Sequence, residues 1–374
     1  YNSLQNSYTI SSGASQKDIQ TVLDTSTSGA NIIFSSGTYE FDSRLLVIRS
    51  NISITGSTDI TSPTIFKFAA SLTEDAFTIK GKMDTNWAHT LEQDVTVGTK
   101  SIQLSNTTGL KVGCFLHIYQ DNDAEFLSSG IYDPVKNSPY MATKPLRESM
   151  VEIESIVGNT VNFKHEITYD MAGGAGKIEL INPLKNVSLS NITLTYANLG
   201  PLNDIDFSNP LVQFDNHTTL GIQYTNGLVL NNVTLKNTPS IAVDFRDSLD
   251  GNVSYLTVDG AYNKGGDGNG YGLHISGTSY SNFEHLTITD VRHAVIFSSW
   301  SAEAWNTVQV DFTNRDINYH GSPDHSNTVI VNESLYEGSD LNTWALVSPG
   351  AVDKHPYTDI SQNTNLFGHA VGGF

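Results

Sequence analysis

The chain is short of cations, cysteine and long apolar runs, and each shortage removes a class of answer. Lys and Arg number 20 against 39 Asp and Glu, a formal net charge of −19 with a pI near 4.8. Phosphate binding needs a basic footprint, so nucleic acid is excluded as a partner. An anionic substrate would have to be held by a local cluster of cations against an unfavourable overall field. A lone cysteine, Cys114, rules out an intramolecular disulfide and leaves the redox compartment open. No run of 18 apolar residues occurs, so no membrane-spanning helix is expected. Tyr1, Asn2 and Ser3 begin no signal peptide; the start reads as that of a mature or trimmed form and says nothing about export. Nucleophile elbow, zinc-ligand spacing and P-loop are all missing.

What is present is a repeat. Five segments align beneath one another: Gly221–Asn226, Ala242–Asp247, Gly272–Gly277, Ala294–Ser299 and Asp316–Gly321. Most alternate with the period of a half-buried strand, although Ile296 interrupts the fourth. With Ile222, Val243, Leu273, Val295 and Ile317 as equivalents, the steps are 21, 30, 22 and 22 residues. The long step holds the glycine-rich insertion Gly260–Gly270. A polar turn and a second short strand follow the last four segments: Leu256–Val258, Leu286–Ile288, Val308–Val310 and Val329–Val331. Asn252, Asn282, Asn306 and Asn327 precede those strands, where Asn tolerates left-handed backbone and can bond its copy one coil away. Strands at this short period, without helices between them, predict a β-solenoid. Eight Asn-X-Ser/Thr sequons, at Asn51, Asn106, Asn186, Asn191, Asn216, Asn232, Asn252 and Asn332, read mostly as turn chemistry.

Upstream, Ile19, Val22 and Leu23 carry helical spacing behind Ser15 as N-cap. The helix leads into the apolar run Asn31–Phe41 and then Ile52–Gly56. Residues 86–180 break the coil period. There, Thr99–Leu104, Leu116–Tyr119 and Met150–Phe163 read as antiparallel strands of a β-rich insertion. Its middle, Gln120 to Glu148, is a long Pro-bearing loop suited to walling a groove. The expected organisation is residues 1–85 as N-terminal cap and first coils, 86–180 as insertion, and 181–374 as the main coil stack.

A short helix followed by an apolar run, Gly37-Thr38-Tyr39 and apolar pairs resembles the cap of pectate-lyase-like parallel β-helices. These include polysaccharide lyases, glycoside hydrolases, epimerases and phage tailspike depolymerases. The resemblance implies an all-β, right-handed, single-stranded parallel β-helix with a helical cap and a β-rich insertion. It also implies a polysaccharide substrate, an extracellular or virion-surface location and, if tailspike-like, a homotrimer. Activity does not follow from it, because such folds host many chemistries.

Carrying the strand register across coils gives two outward columns: Gln223, Asp244, His274, Ile296, Asn318, and Thr225, Arg246, Ser276, Ser298, His320. Asp244, Arg246, His274, Arg292, Asn318 and His320 then share one face within roughly 15–20 Å, at about 4.8 Å per coil. Titratable groups crowded on one strand face mark a candidate site. Val291–Phe297 and Asp316–Asp324 resemble an Arg-His … His-Gly pairing in polysaccharide-degrading β-helices, which points to Arg292 and His320. In this register His293 falls inward, as a buried, hydrogen-bonded histidine.

For β-elimination on a uronate chain, Arg292 or Arg246 would neutralise the carboxylate and His320 or His274 would take the proton. Tyr271 or Tyr319 would act as acid, although the register turns both inward. A C5-epimerase would use nearly the same parts. A hydrolase would need paired carboxyls, for which Asp244 with Asp247, or Asp316 with Asp324, are available. A non-catalytic glycan-binding shaft would rely on aromatics instead. Trp300, Trp305 and Lys264, with Asp244 and Asn318, are candidate substrate contacts. No cofactor is required by any of these; Asp121, Asp123 and Glu125 offer oxygens for calcium without EF-hand spacing.

Overall fold

A computed structural model of the chain describes residues 6–72, 74–128, 145–197, 199, 214–265, 268–298, 301–319 and 324–334. Helix α1 (Gln16–Thr25) opens as expected: the Ser15 hydroxyl accepts the Asp18 amide at 3.2 Å, and Ile19, Val22 and Leu23 are buried. It packs on the first coils, where Phe34, Tyr39, Phe41 and Phe66 meet edge to face at centroid distances of 4.8–5.8 Å. Each such pair adds about 0.5–1.5 kcal/mol beyond its area burial.

Among the described residues two long parallel sheets, with a short parallel pair formed by Leu184–Lys185 and Thr225–Asn226, wind around one apolar core. The longer runs from Ser7–Ile10 through Ala30–Phe34, Ile52–Thr55, Val187–Tyr196, Val229–Thr238, Asn252–Ala261, Asn282–Thr289 and Thr307–Thr313 to Thr328–Ser334. The second, called the site sheet here, holds β1 (Leu45–Val47), β2 (Phe77–Lys80), β3 (Thr218–Gln223), β4 (Ile241–Arg246), β5 (Tyr271–Ser276), β6 (His293–Phe297) and β7 (Ile317–Tyr319), adjacent in that order. Leu220, Val243, Leu273, Val295 and Ile317 stack inward on one another, and the core runs unbroken from Ile10 to Val331. Each fully buried Val, Leu, Ile or Phe contributes about 1.5–3 kcal/mol relative to exposure.

Left-handed residues make the corners. Asn51, Asn186, Gly227, Asp250, Tyr280, Trp305 and Ser326 occupy equivalent places on seven successive coils, and all have φ between 52° and 66°. Asn191, Asn232, Tyr255 and His285 form a second such column, φ 53–56°. The columns bond internally. Asn186 donates to Asn51 and Asn232 to Asn191, each at 2.8 Å, while the Tyr255 and His285 rings stack at 4.7 Å. Five sequon asparagines (Asn51, Asn186, Asn191, Asn216 and Asn232) take this conformation, so their turn reading holds. The expected asparagine ladder is corrected in detail. Asn306 donates to Asn327 at 3.0 Å, but Asn252 and Asn282 are exposed, and none of the four has positive φ.

Another corner is internal. Thr225, Ser248, Thr278, Glu303 and Asp324 stack on successive coils, all essentially inaccessible to solvent. The first three rungs are hydroxyls, and Thr225 donates to Ser248 at 3.1 Å. The last two are carboxyls. Glu303 Oε1 accepts the Gly277 amide (2.7 Å) and the Ser301 hydroxyl (2.6 Å), and Asp324 Oδ1 accepts the Glu303 amide (3.0 Å). Burial, and then the Asp324 charge, push Glu303 well above the usual carboxyl range; burial pushes Asp324 up to about 6.

The stretch from Lys82 to Asn182 leaves the coil. It forms a six-stranded antiparallel sheet with an apolar cluster of its own, built on Trp87, Leu116, Ile118, Val151, Ile153, Val161 and Phe163. The sheet docks on the left-handed column. Lys164 and His165 reach Asp250 at 2.8 and 2.7 Å, and His165 stacks on Tyr280 at 4.1 Å.

Two outcomes test these corners. Asn232→Val puts a β-branched residue at positive φ and lowers unfolding stability by about 1–2 kcal/mol, whereas Asn232→Gly stays near wild type in a denaturant titration. The acid rungs give a pH signature. As pH rises from about 4, unfolded carboxyls ionise while the folded ones keep protons, so stability falls; the Asp324 share of the fall ends as it ionises near 6, and the Glu303 share continues beyond. Asp324→Asn flattens that slope and raises Tm at pH 7 more than at pH 4.

Candidate functional site

The outward face of the site sheet holds the column of side chains expected from the sequence, shifted by two residues at its first rung. Gly221, rather than Gln223, pairs with Asp244; from there Asp244, His274, Ile296 and Asn318 follow as read from the sequence. Gln223 instead stacks with Arg246 and Ser276. A shift of two keeps the face, which is why the column survived the misalignment.

A second departure matters more. Ala242 and Val243 both enter the core, as do Ala294 and Val295, and a Cβ on Gly272 would strike core residue Ile288 at 2.4 Å. Two consecutive inward residues mark a bend in each strand. Alternation therefore inverts on its upstream side. Ile241, Tyr271 and Ile296 form a small apolar cluster outside the main core. Tyr271, expected to face inward, is on the outward side, and so is His293. The latter is buried and hydrogen-bonded as expected, with its ring 5.7 Å from that of Tyr271.

Asp244 is the hub. Its Oδ2 meets Arg246 Nη2 at 2.5 Å and its Oδ1 accepts His274 Nδ1 at 3.0 Å. Burial works to raise its pKa, but the His274 and Arg246 charges outweigh it and hold the carboxyl below the usual range. A residue that sequence reasoning missed completes the group. Asp75, just before β2, lies over Gly221: a Cβ built there would be 3.3 Å from Asp75 Oδ2. Asp75 thus reaches into the slot that the glycine leaves, and that glycine is the strand partner of Asp244. Burial and the Asp244 charge raise Asp75, and Arg246 offsets this only partly. Two neighbouring carboxyls are pushed in opposite directions.

Downstream on the same face, His293 Nδ1 contacts both Asp316 oxygens at 2.8 and 2.9 Å, and Asn318 donates to Asp316 at 3.3 Å. At the other edge Asp247 accepts Gln223 at 2.8 Å. Burial and the Glu148 charge raise Asp247 to about 6 against opposing contributions from Gln223, His117 and Arg246. Glu148 and His117 come from the antiparallel insertion, and Glu148 also accepts the Ala302 amide at 3.2 Å. The insertion therefore borders this edge of the face. Burial disfavours charge on His117, but bonds to Glu148 (2.8 Å) and Glu179 (3.4 Å) win and lift it to about 10.

The other sequence candidates divide. Arg292 precedes β6 and donates to the Gly265 carbonyl at 2.7 Å, tying down the glycine-rich loop rather than pointing along the column. Lys264 is buried in that loop, where Asn263 and Asn269 both donate to Asp215. Trp305 belongs to the left-handed column beside the insertion, stacked 8° from parallel with Tyr280, and is not on the site-sheet face. Asp121 and Asp123 pair with Lys177 (2.5 Å) and Arg147 (2.7 Å), and Asp123 also accepts the Phe126 amide at the start of the short helix Ala124–Ser128, which carries Glu125. Among the described residues no three His, Cys, Asp or Glu are grouped to hold a metal. His320 and Trp300 lie outside the described residues, as does the side chain of Tyr319.

No protein-family model matches the chain, and no curated protein matches it in sequence. Solved structures do. The gp54 tailspike of Acinetobacter baumannii bacteriophage AP22, solved with A. baumannii capsular saccharide, matches at TM-score 0.55 and 17% identity over 88% of this chain. The tailspike gp61 of Pseudomonas phage phi297 matches at 0.55 and 13% over 92%, and gp49 of Pseudomonas phage LKA1 at 0.52 and 14% over 84%. The chain spans 57%, 62% and 56% of those three proteins respectively, so each is much longer. At these identities the likeness speaks for architecture, and the architecture of this chain is the right-handed parallel β-helix of phage tailspikes.

Proposed function

We propose that the chain depolymerises a bacterial surface polysaccharide by glycoside hydrolysis on the outward face of the site sheet. The observation that carries this reading is the Asp75–Asp244 pair, one carboxyl raised and the other lowered on neighbouring coils. Asp75, the carboxyl whose proton affinity burial and the Asp244 charge raise, is the one suited to give a proton to the leaving oxygen. Asp244 stays ionised, held by Arg246 and His274. The two acids belong to adjacent coils, whose backbones lie about 4.8 Å apart, and the retaining mechanism, which needs the shorter carboxyl separation, is the one proposed. Asp244 would then attack the anomeric carbon as the glycosidic C–O bond breaks and Asp75 protonates the departing oxygen. Asp75, now a carboxylate, would take a proton from water as that water displaces Asp244. The same reading places the chain outside the cell or on a virion surface, as a homotrimer.

A lyase is the second reading, favoured by one observation: the Tyr271 ring lies 5.5 Å from His274, as an acid beside a base would. Against it, Arg246 and His274 are already committed to Asp244, and Asp75, Asp247 and Asp316 leave this face short of free positive charge for a uronate.

The test is an array of capsular and O-antigen polysaccharides with alginate, hyaluronan and pectin, followed for reducing ends and for unsaturated-uronate absorbance. Reducing ends without absorbance are expected, and absorbance would establish the lyase. Asp75→Asn and Asp244→Asn should each lower kcat by about 10²–10⁴-fold with folding retained by circular dichroism. Full activity in either variant would remove that residue from the mechanism.

A further inference from the structure

We infer that the antiparallel insertion carries a second glycan site, a cavity for a neutral, hydroxyl-bearing sugar unit of the polymer away from the cleaved bond. The inference rests on the polysaccharide reading and adds a place that holds the polymer rather than one that breaks it. A cavity of about 450 Å³ opens at one end of the insertion, within the roughly 300–1,000 Å³ of small-molecule sites. Gln120 and Arg147, paired across the strands Phe115–Gln120 and Arg147–Val157, help to line it. Side chains alternate along a strand, so these two face away from His117, Tyr119 and Glu148. The cavity therefore lies across the sheet from the groups that border the site sheet.

The floor is apolar and the rim is polar. Val95, Phe126, Tyr169 and Met171 form the buried part of the lining, and the Arg147 guanidinium lies over the Phe126 ring at 4.5 Å. Asp94, Asp123, Glu125 and Asp170 are exposed at the rim. Paired backbone bonds between Val95 and Met171, at 2.9 and 3.0 Å, tie together the segments that carry Asp94 and Asp170. Each of these acids spends one oxygen on a backbone amide, Asp94 on Gly173 and Asp170 on Val97, both at 2.8 Å. Those bonds fix the carboxylates in place. Among the described residues nothing bonds the second oxygen of either.

The lining selects by charge. Among its described residues four are carboxyls and one is a guanidinium, whose Nη2 is already taken by Asp123 and the Asp121 carbonyl at 2.7 and 2.9 Å. A carboxylate-bearing sugar is repelled there. The described acids are not grouped to hold a metal ion either. A carboxylate oxygen only accepts and a sugar hydroxyl donates, so the second oxygens of Asp94 and Asp170 suit the hydroxyls of a pyranose ring. The C–H face of that ring covers the apolar floor. Asp94 and Asp170 are thus contacts that hold the polymer, not catalytic groups.

The probes are neutral hexose, 6-deoxyhexose and N-acetylhexosamine oligosaccharides and the matching hexuronate oligomers, added to Asp244→Asn protein so that nothing is cleaved. Amide hydrogen exchange localises the binding. A neutral probe should slow exchange over residues 94–97 and 169–173, and the hexuronates should not. Ala172→Trp, a change at an exposed rim position, fills the mouth and should weaken binding there at least tenfold, with folding retained by circular dichroism. Asp170→Asn keeps the acceptor for the Val97 amide and should weaken it at least threefold, which guards against a misfolded tryptophan variant. Protection that persists in a folded Ala172→Trp, equal protection by the hexuronates, or no protection by any neutral probe would overturn the site. The cleavage reading is judged separately, by reducing ends and by Asp75→Asn, and neither outcome above touches it.

Discussion

Hydrogen bonding between successive coils is the constraint on which the rest depends. Each strand of a coil pairs with the same strand of the next, so a corner in one coil must lie over a corner in its neighbour. That requirement explains why seven residues as different as Asn, Gly, Asp, Tyr, Trp and Ser share one left-handed conformation. No side-chain preference unites them. Position in the stack does, and Asn or Gly appears where nothing else offsets the strain. Aromatic rungs occur where stacking supplies that compensation: Tyr280 lies between His165 and Trp305, and Tyr255 lies against His285.

The same constraint turns isolated residues into columns, which decides how charge is distributed. Asp244 gains His274 from the next coil and Arg246 from its own strand, and is stabilised as an anion despite burial. Glu303 has the acid Asp324 on the next coil, and is destabilised as an anion first by burial and then by that like charge. Two buried acids in one solenoid are thus shifted in opposite directions, with the charge of the neighbouring side chains deciding whether the effect of burial is overcome or reinforced. The insertion adds a third case. Glu148 brings negative charge to Asp247 from outside the stack, which no coil alignment contains.

Much of this was legible from residues alone. The 22-residue period, the helix behind Ser15 and the antiparallel hairpins of the insertion all follow from spacing and turn chemistry. The column Asp244, His274, Ile296, Asn318 followed because the one insertion among its steps, Gly260–Gly270, falls between the strands, and the bends lie upstream of the column positions. What stayed hidden has physical causes. The bend at Ala242–Val243 and Ala294–Val295 inverts alternation without altering hydrophobicity, since small and branched apolar residues suit either side of it. Tyr271 and His293 were misassigned for that reason. Asp75 was invisible because it belongs to no repeat segment; its only trace in the repeat is a glycine where other coils carry side chains, and that glycine was read as a strand start.

Gly221 also bears on how such a surface acquires a site. In a stack of fixed period every outward position is spoken for by its neighbours above and below, and new side chains can only lengthen existing columns. Removing a side chain is the one change that opens a notch, one coil wide, into which a residue from outside the repeat can reach. Solenoid surfaces can therefore be searched for function by looking for the missing rung in an otherwise polar column, a subtraction that comparison of conserved side chains would pass over.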